Sequence, residues 1–441
     1  MSNHHTVREY SCVTYDQAND ESIDLAVVTQ ATFKWLLELS ASWHKKTPLL
    51  EVQGETRLKL GGYVGYLEGP AGESLEILPK IQQNIPTLEG VVSLRKLLQR
   101  MLTVSRQLKP READNAHLER MNEPLHEWVV GKFLTELDVL VHKGLRSDYK
   151  EIEEEDRFIR GRLDIARQLR QHPGRSSWFH IRHDIFSPNT IENRLLVTAL
   201  EYVRTFTNNP DNWRLANKLS LIMTDIHRYA DQKIIKKSVK KWRSGRLMGI
   251  YDEVKPWCEI VLDKLNPQFQ KGTYGGISLL FNMPSLFESF VGQHLKQKVQ
   301  HPATIKLQAS SECLVTHNEE YWFKLKPDFL MECDNQRYVM DAKWKLLDAS
   351  ENNAKDKYKI SQSDMYQLFA YGQKYQEGEG HMILIYPKHS GFQEVLPPLK
   401  FSDNLFLWIV PFDLEEEKLI AGGWQKHINF SDELQPLAIA Q

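Results

Sequence analysis

The chain has 441 residues, with 56 Lys and Arg against 58 Asp and Glu and a formal charge of −2. At roughly 100–200 residues per domain this length predicts two to four domains, and 41% hydrophobic with 26% charged residues excludes wholesale disorder. No apolar run approaches the ~18–20 residues of a membrane-spanning helix, and the N-terminus lacks a basic segment followed by an apolar one. The four cysteines (Cys12, Cys258, Cys313 and Cys333) form neither a CxxC nor a zinc pattern, so a cytoplasmic protein with reduced thiols and no membrane association is expected. Near-neutrality gives no global attraction to nucleic acid, so any such role must come from local charge.

In chain order, Leu58–Leu67 is rich in glycine and aromatics, Glu68-Gly-Pro-Ala-Gly72 is a turn cluster, and Leu75–Pro79 is strand-like; together they predict a hairpin in a β-rich domain. Helical periodicity follows at Leu94, Leu97, Leu98, Met101 and Leu102. Gln107–Ala116 is polar and contains a proline, as a linker would. Leu125, Trp128, Val129, Phe133, Leu137, Leu140 and Val141 mark one stripe of a long helix. The acidic run Glu151–Asp156 reads as a solvated face or loop rather than a metal cluster, because adjacent like charges repel. A helix begins at Asn193 with its cap in Ser187–Thr190. Lys233, Lys236, Lys237, Lys240, Lys241, Arg243 and Arg246 make the densest basic stretch, either a solvated face or a strip that contacts phosphates.

A new unit begins at the loop-like Asn266–Gly276. It continues as a helix with the stripe Phe287, Phe290, Val291 and Leu295, strands at Tyr321–Met331 and Arg337–Trp344, a helix over Asp364–Tyr375 and a strand at Met382–Tyr386. This order predicts a sheet covered by helices on both sides. The expected fold is multi-domain α+β: an N-terminal β-rich domain (1–110), a mainly helical middle region (111–265) and a C-terminal α/β domain (266–441).

Chemistry concentrates in that last segment. Asp341 and Lys343, two apart on a strand, share a face, and a hairpin would bring Asp328 beside them. Two carboxylates and an ammonium suit metal-assisted phosphodiester hydrolysis: Mg²⁺ takes oxygen ligands, Ala342 offers a carbonyl, and the lysine offsets charge on the phosphate. Acid-x-Lys triplets recur in this chain, at Asp148-Tyr-Lys150, Asp231-Gln-Lys233, Glu253-Val-Lys255 and Glu416-Glu-Lys418. Only Asp341-Ala-Lys343 follows a Pro-Asp at hairpin spacing; its bland alternative is a surface salt bridge. Gln367 and Tyr371 share a helix side, with Met365, Leu368, Phe369 and Gly372 expected to pack on the sheet. Glu288 either faces solvent or turns inward as a third acid.

Pro327-Asp328, Asp341-Ala-Lys343, Glu288 and Gln367-x-x-x-Tyr371 together resemble the PD-(D/E)xK nuclease superfamily. Within it, the chain resembles the McrC family, nuclease subunits of McrBC 5-methylcytosine restriction systems. The likeness extends to Leu78-Pro-Lys-Ile81, Arg160-Gly-Arg-Leu163, Asn193-Arg-Leu-Leu196 and Leu286-Phe-Glu-Ser-Phe290, with extra sequence near the N-terminus and in the middle. It implies a restriction-endonuclease-like C-terminal domain and Mg²⁺-dependent cleavage of methylated double-stranded DNA, with Mn²⁺ as a substitute. Asp328 and Asp341 would be metal ligands with Ala342 and Glu288, Lys343 the catalytic lysine, and Gln367 and Tyr371 a supporting pair. The resemblance also implies a McrB-like, GTP-hydrolysing AAA+ partner whose GTPase such subunits stimulate through their N-terminal region. No GxxxxGK[ST] occurs in this chain, so the nucleotide motor is expected on another. The competing expectations are a stand-alone repair or defence nuclease, and a non-catalytic adapter that holds DNA for a motor.

Overall fold

Tyr63–Glu68 and Ser74–Leu78 pair antiparallel, Gly65 opposite Ile77 and Leu67 opposite Leu75, as the intervening turn cluster predicts. This computed structural model describes residues 4–16, 21–41, 43, 47–69, 72–81, 88–105, 123–264, 277–299 and 301–428. The expected linker 107–116 and loop 266–276 lie outside the described residues. The fold is mixed α/β, with helices and several sheets. Among the described residues no helix is long and apolar enough to cross a membrane.

The chain divides into two compact units, one of residues 1–122 with 280–441 and the other of residues 123–279. The N-terminal β-rich segment and the C-terminal α/β segment therefore share a unit. Its N-terminal part holds a sheet in the order His4–Arg8, Ser74–Leu78, Tyr63–Glu68 and Ile277–Asn282, and a second in the order Leu25–Val27, Cys12–Thr14, Arg57–Leu60 and Leu50–Val52. Val7, Val13, Leu36, Leu58, Leu67 and Ile77 belong to one buried cluster between these elements.

The C-terminal part is built on a mixed seven-stranded sheet. Phe329–Cys333 and Gln336–Ala342 form an antiparallel hairpin, and Gln336–Ala342 runs parallel to Gly380–Pro387, itself parallel to Leu405–Asp413. The expected long strand 321–331 is broken. Glu320–Lys324 instead pairs with Cys313–His317, and Lys326-Pro327 interrupts the run, since proline has no N–H for a ladder. The helix Met283–Lys298 starts where Asn282 Oδ1 accepts from Ser285 N at 3.1 Å, with Pro284 in the first turn. Its Phe287, Phe290, Val291 and Leu295 are buried as the periodicity predicts. Gly292 lets it approach the sheet, because a Cβ there would stand 2.9 Å from the Phe329 ring. Leu368 and Tyr371 of the helix Gln362–Tyr375 pack with Leu330 and Val339. Phe329 and Leu330 are consecutive in a strand, so these two helices cover opposite faces of the sheet.

The other unit packs Leu125–Lys143, Ile191–Phe206, Pro210–Ile222 and Lys255–Lys264. Thr190 caps Ile191–Phe206 by accepting from Asn193 N at 3.3 Å. Asn193 is a hub of this unit: its side chain donates to the carbonyls of Arg146 and Pro188 and accepts from the Tyr251 hydroxyl. Of the two expectations for the acidic run, the solvated face holds and the loop does not: Glu151, Glu153, Glu154 and Glu155 are exposed on a strand. Asp148–Asp156 is a strand paired antiparallel with Phe179–Ser187, where Arg182 stands opposite Glu153 and His180 opposite Glu155. Arg182 across the strand pair, with Arg167 and Arg175 from nearby, offsets the repulsion between the adjacent carboxylates. Gly161 of Arg160-Gly-Arg-Leu163 has φ +69°, and a Cβ there would meet Arg182 O at 2.4 Å, so glycine is required.

Candidate active site

Asp328 stands one residue before its strand rather than within it, and the hairpin register carried back one position sets it opposite Asp341. Cross-strand partners project to the same face with Cβ atoms about 4.5–5.5 Å apart, so the two carboxylates converge. The Ala342 amide donates to Asp328 Oδ2 at 2.8 Å and fixes that carboxylate's direction. Asp341 is 1% exposed and its Oδ2 pairs with Lys343 Nζ, while its Oδ1 has no hydrogen-bond partner among the described residues. Lys343 N donates to Ile385 O at 2.8 Å, which extends the parallel ladder past the end of the strand.

The helix Met283–Lys298 brings Glu288 to the same place. Gln308 holds it from both ends: its side chain donates to Glu288 Oε1 at 2.9 Å, and its backbone N–H donates to the Asp328 carbonyl at 2.8 Å. On the helix Gln362–Tyr375, Gln367 Nε2 donates to the Tyr371 hydroxyl at 2.7 Å, and that hydroxyl donates to Lys326 O at 2.9 Å. The Gln–Tyr pair thus clamps the segment leading to Pro327-Asp328. Of the residues expected to pack on the sheet, Met365, Leu368 and Gly372 do so, whereas Phe369 is exposed near Phe401 and Tyr371 is buried with them.

The electrostatics are those of an acidic pocket short of positive charge. Burial, then Asp341 and Glu288, push the Asp328 carboxyl up to about 8. Asp341 is also raised by burial, against the opposing pull of Lys343, with Asp364 and Glu288 adding to the rise. Lys343 is disfavoured by burial but held above the ordinary lysine value, first by Asp341 and then by Asp328 and Asp364. Burial pushes Tyr371 up to about 12, and Tyr386, its hydroxyl buried without a partner among the described residues, is raised by burial and by Asp364 and Asp341.

Asp364 is the residue that sequence reasoning missed. It lies in the first turn of its helix and its field reaches Asp341, Lys343 and Tyr386. The periodicity that places the helix start at Asp364 carries no sign that this carboxylate turns toward the sheet.

The residues fit a divalent cation. Two converging carboxylates, one with a buried, unpartnered oxygen, are mutually destabilising until a cation sits between them. Among the described residues no three His, Cys, Asp or Glu side chains stand close enough to hold an ion. A cation here would therefore need backbone and water oxygens beside Asp328 and Asp341, which is how Mg²⁺ is usually held. Glu288, expected as a third direct ligand, is taken up by Gln308 and acts on the pair through its field.

The basic strip lies at and beyond the helix Gln232–Val239 of the other unit. Lys233, Lys236, Lys237, Lys240 and Lys241 are exposed or partly exposed. Arg243 is not a free cation. Its guanidinium donates to Glu192 Oε1 at 2.9 Å, Glu192 Oε2 at 3.0 Å and Asp148 Oδ2 at 2.6 Å, so it holds the fold.

Residues 58–387 match the family model for McrBC 5-methylcytosine restriction system components. No curated protein matches the chain. Among solved structures, a chain of the Thermococcus gammatolerans half-complex described as McrB AAA+ hexamers with bound McrC is similar at TM-score 0.68 and 19% identity, over 95% of this chain and 96% of that one. A chain of the Thermococcus gammatolerans McrBC complex is similar at TM-score 0.48 and 21% identity, over 66% of this chain and 87% of that one.

Proposed function

The chain belongs to the family of McrBC 5-methylcytosine restriction system components, and from that premise we propose that it is the DNA endonuclease subunit of such a system, with a restriction-endonuclease-like PD-(D/E)xK domain. The observation that carries this reading is the cross-strand pair of half-buried Asp328 and buried Asp341, with Lys343 alongside. Asp328, Asp341 and the Ala342 carbonyl would hold Mg²⁺, or Mn²⁺ in its place. When bound, the cation supplies Lewis-acid polarisation of the phosphoryl group and eases deprotonation of water.

The chain's own residues do the rest. Lys343 offsets negative charge that builds on the scissile phosphate and orients the attacking water. The Ala342 amide keeps Asp328 aimed at Asp341. Gln367 and Tyr371 hold the approach to Asp328 through Lys326 O, and Glu288 keeps the pocket acidic enough to favour a divalent ion. The Thermococcus gammatolerans half-complex, in which McrC is bound to McrB AAA+ hexamers, supports a McrB-like AAA+ partner for this chain. As part of the same proposal that partner hydrolyses GTP, this subunit stimulates its GTPase, and methylated duplex DNA is cut in the cytoplasm.

Co-expression with the product of the neighbouring gene, then cleavage of methylated and unmethylated DNA with Mg²⁺ and GTP, tests the reading. Cleavage that needs the partner, GTP and Asp341 supports it. Cutting by this chain alone favours a stand-alone nuclease, and cutting undiminished by Asp341→Asn refutes the site.

A further inference from the structure

Leu78-Pro-Lys-Ile81 touches none of the acidic groups, yet it organises a contact that reaches them. Glu9 follows the strand His4–Arg8, and its N–H donates to Leu78 O at 2.9 Å. Its Oε1 accepts from Lys80 N at 3.0 Å and from the indole Nε1 of Trp344 at 2.6 Å, a side-chain contact that spans 335 residues. Glu9 is fully buried, and its Oε2 has no hydrogen-bond partner among the described residues. Burial lifts the carboxyl to about 7, with Lys80 N–H and the Trp344 indole pulling the other way. A glutamate in such a place is costly unless the bond it makes matters.

Trp344 directly follows Lys343. Asp341 and Lys343 face the helix that carries Asp364 and Tyr371, whereas the indole of Trp344 goes to the opposite face and packs on Phe287 at 5.2 Å. Phe287 is buried and directly precedes Glu288. One indole thus adjoins, through the two chain segments, both the lysine and the outlying acid of the site. Its single hydrogen-bonding group is held by Glu9.

We propose that Glu9 is a positioning residue for the hydrolytic site: by holding the Trp344 indole behind the catalytic strand, it keeps Lys343 on Asp341 and Glu288 in register. This rests on the nuclease reading above. The hydrogen bond fixes the indole's rotation, and a fixed indole leaves the strand end and Phe287 one arrangement instead of several. Misplacement of about 1 Å at a reacting centre can cost up to ~10²-fold in rate, which is the scale open to such an interaction.

Glu9→Gln, Glu9→Ala and Trp344→Phe are compared with the unaltered chain in complex with its partner, with Asp341→Asn as the inactive reference. The first readout is kcat and KM for DNA cleavage. The second is the acetylation rate of Lys343 by acetic anhydride, relative to exposed Lys237, read by peptide mass spectrometry; it needs no nuclease activity. Glu9→Gln keeps an oxygen that accepts from the indole and should leave both readouts unchanged. Glu9→Ala should lower kcat about tenfold or more at unchanged KM, and Lys343, less firmly paired, should acetylate about threefold faster. Trp344→Phe keeps an aromatic ring against Phe287 but removes the donor, and should behave as Glu9→Ala even if that variant folds poorly. Unaltered kcat and unaltered Lys343 labelling in Glu9→Ala and Trp344→Phe, with only a lower thermal midpoint, would make Glu9 a fold-holding residue and overturn the proposal. If the unaltered complex does not cut DNA, or Asp341→Asn cuts as well, the nuclease reading fails separately. Lys343 labelling then decides: faster in Glu9→Ala and Trp344→Phe upholds the positioning, and unchanged overturns it.

Discussion

Glu192, in the helical unit, and Asp341, on the strand Gln336–Ala342, are both 1% exposed at the side chain, and each pairs with one cation. Glu192 receives both forks of the Arg243 guanidinium, with Asp148 completing the cluster, and its carboxyl ends below the ordinary value although burial alone would raise it. Asp341 receives Lys343, shares its surroundings with Asp328, Glu288 and Asp364, and ends above the ordinary value. The first cluster is balanced and its oxygens are bonded; the second has too many acids and, among the described residues, a buried oxygen without a donor. The charge of the first is satisfied within the chain, and the charge of the second is what a bound cation would satisfy.

The sharpest way to separate the clusters is by activity. Asp341→Asn or Lys343→Ala should lower DNA cleavage by at least ~10²–10³-fold, the scale of losing one group that stabilises a transition state, with partner binding intact. Single-turnover cleavage checks this. Arg243→Ala should leave the chemical step unchanged in whatever fraction stays folded, and equal losses in the two clusters would erase the distinction.

Stability should separate them in the other direction. Arg243→Ala strands a buried carboxylate and should destabilise its unit by about 2–3 kcal/mol, less than the ~3–5 for a fully buried pair because the guanidinium is 42% exposed. Denaturant unfolding followed in the helical unit measures it.

The two clusters should also answer pH with opposite sign. Asp328 is raised to about 8, so its folded form holds a proton that the unfolded chain has released. The stability it contributes is present below its ordinary value near 4 and is lost as pH rises toward 8. Glu192 is lowered, so its contribution is present above the ordinary glutamate value and is lost as pH falls through its folded value. Hydrogen exchange of the two regions against pH checks both signs. Cation binding at the Asp328–Asp341 pair should release a proton, and affinity should rise with pH up to about 8; calorimetry in buffers of differing ionisation enthalpy reads this. The smallest effect concerns the lysines of the basic strip. Charge reversal at Lys236, Lys237, Lys240 and Lys241 should reduce the salt dependence of DNA binding by about 0.9 for each phosphate that is no longer neutralised, and an unchanged slope would make the strip a solvated face.

Asp328, Asp341 and Lys343 are legible in the sequence because their relation is local: a period of two along one strand and a short turn to the next. The helices at Leu125 and Ile191 are legible for the same reason, through stripes and a capping threonine. What escapes depends on packing that no local pattern encodes. Asp364 turns toward Asp341 only once the helix Gln362–Tyr375 lies on the sheet, and Glu9 meets Trp344 only through the packing of the two ends of one unit. That the run Glu151–Asp156 is solvated is legible, but that it is a strand is not: Asp148–Asp156 has little buried surface, so it lacks the apolar alternation that marks a strand, and its ion-pair partners come from its neighbours. Arg243 groups with the lysines by composition, whereas Glu192, 51 residues earlier, decides its role.

The central claim, that Asp328 and Asp341 are held in mutual conflict for a cation to relieve, is tested most directly by the thermal stability of the unaltered chain and Asp341→Asn, each with Mg²⁺ and with a chelator. In chelator, Asp341→Asn should be the more stable by about 1–2 kcal/mol, since it removes a poorly satisfied buried charge. Mg²⁺ should stabilise the unaltered chain and leave the variant unmoved. A variant less stable in chelator, or one that gains as much from Mg²⁺ as the unaltered chain, would contradict the account.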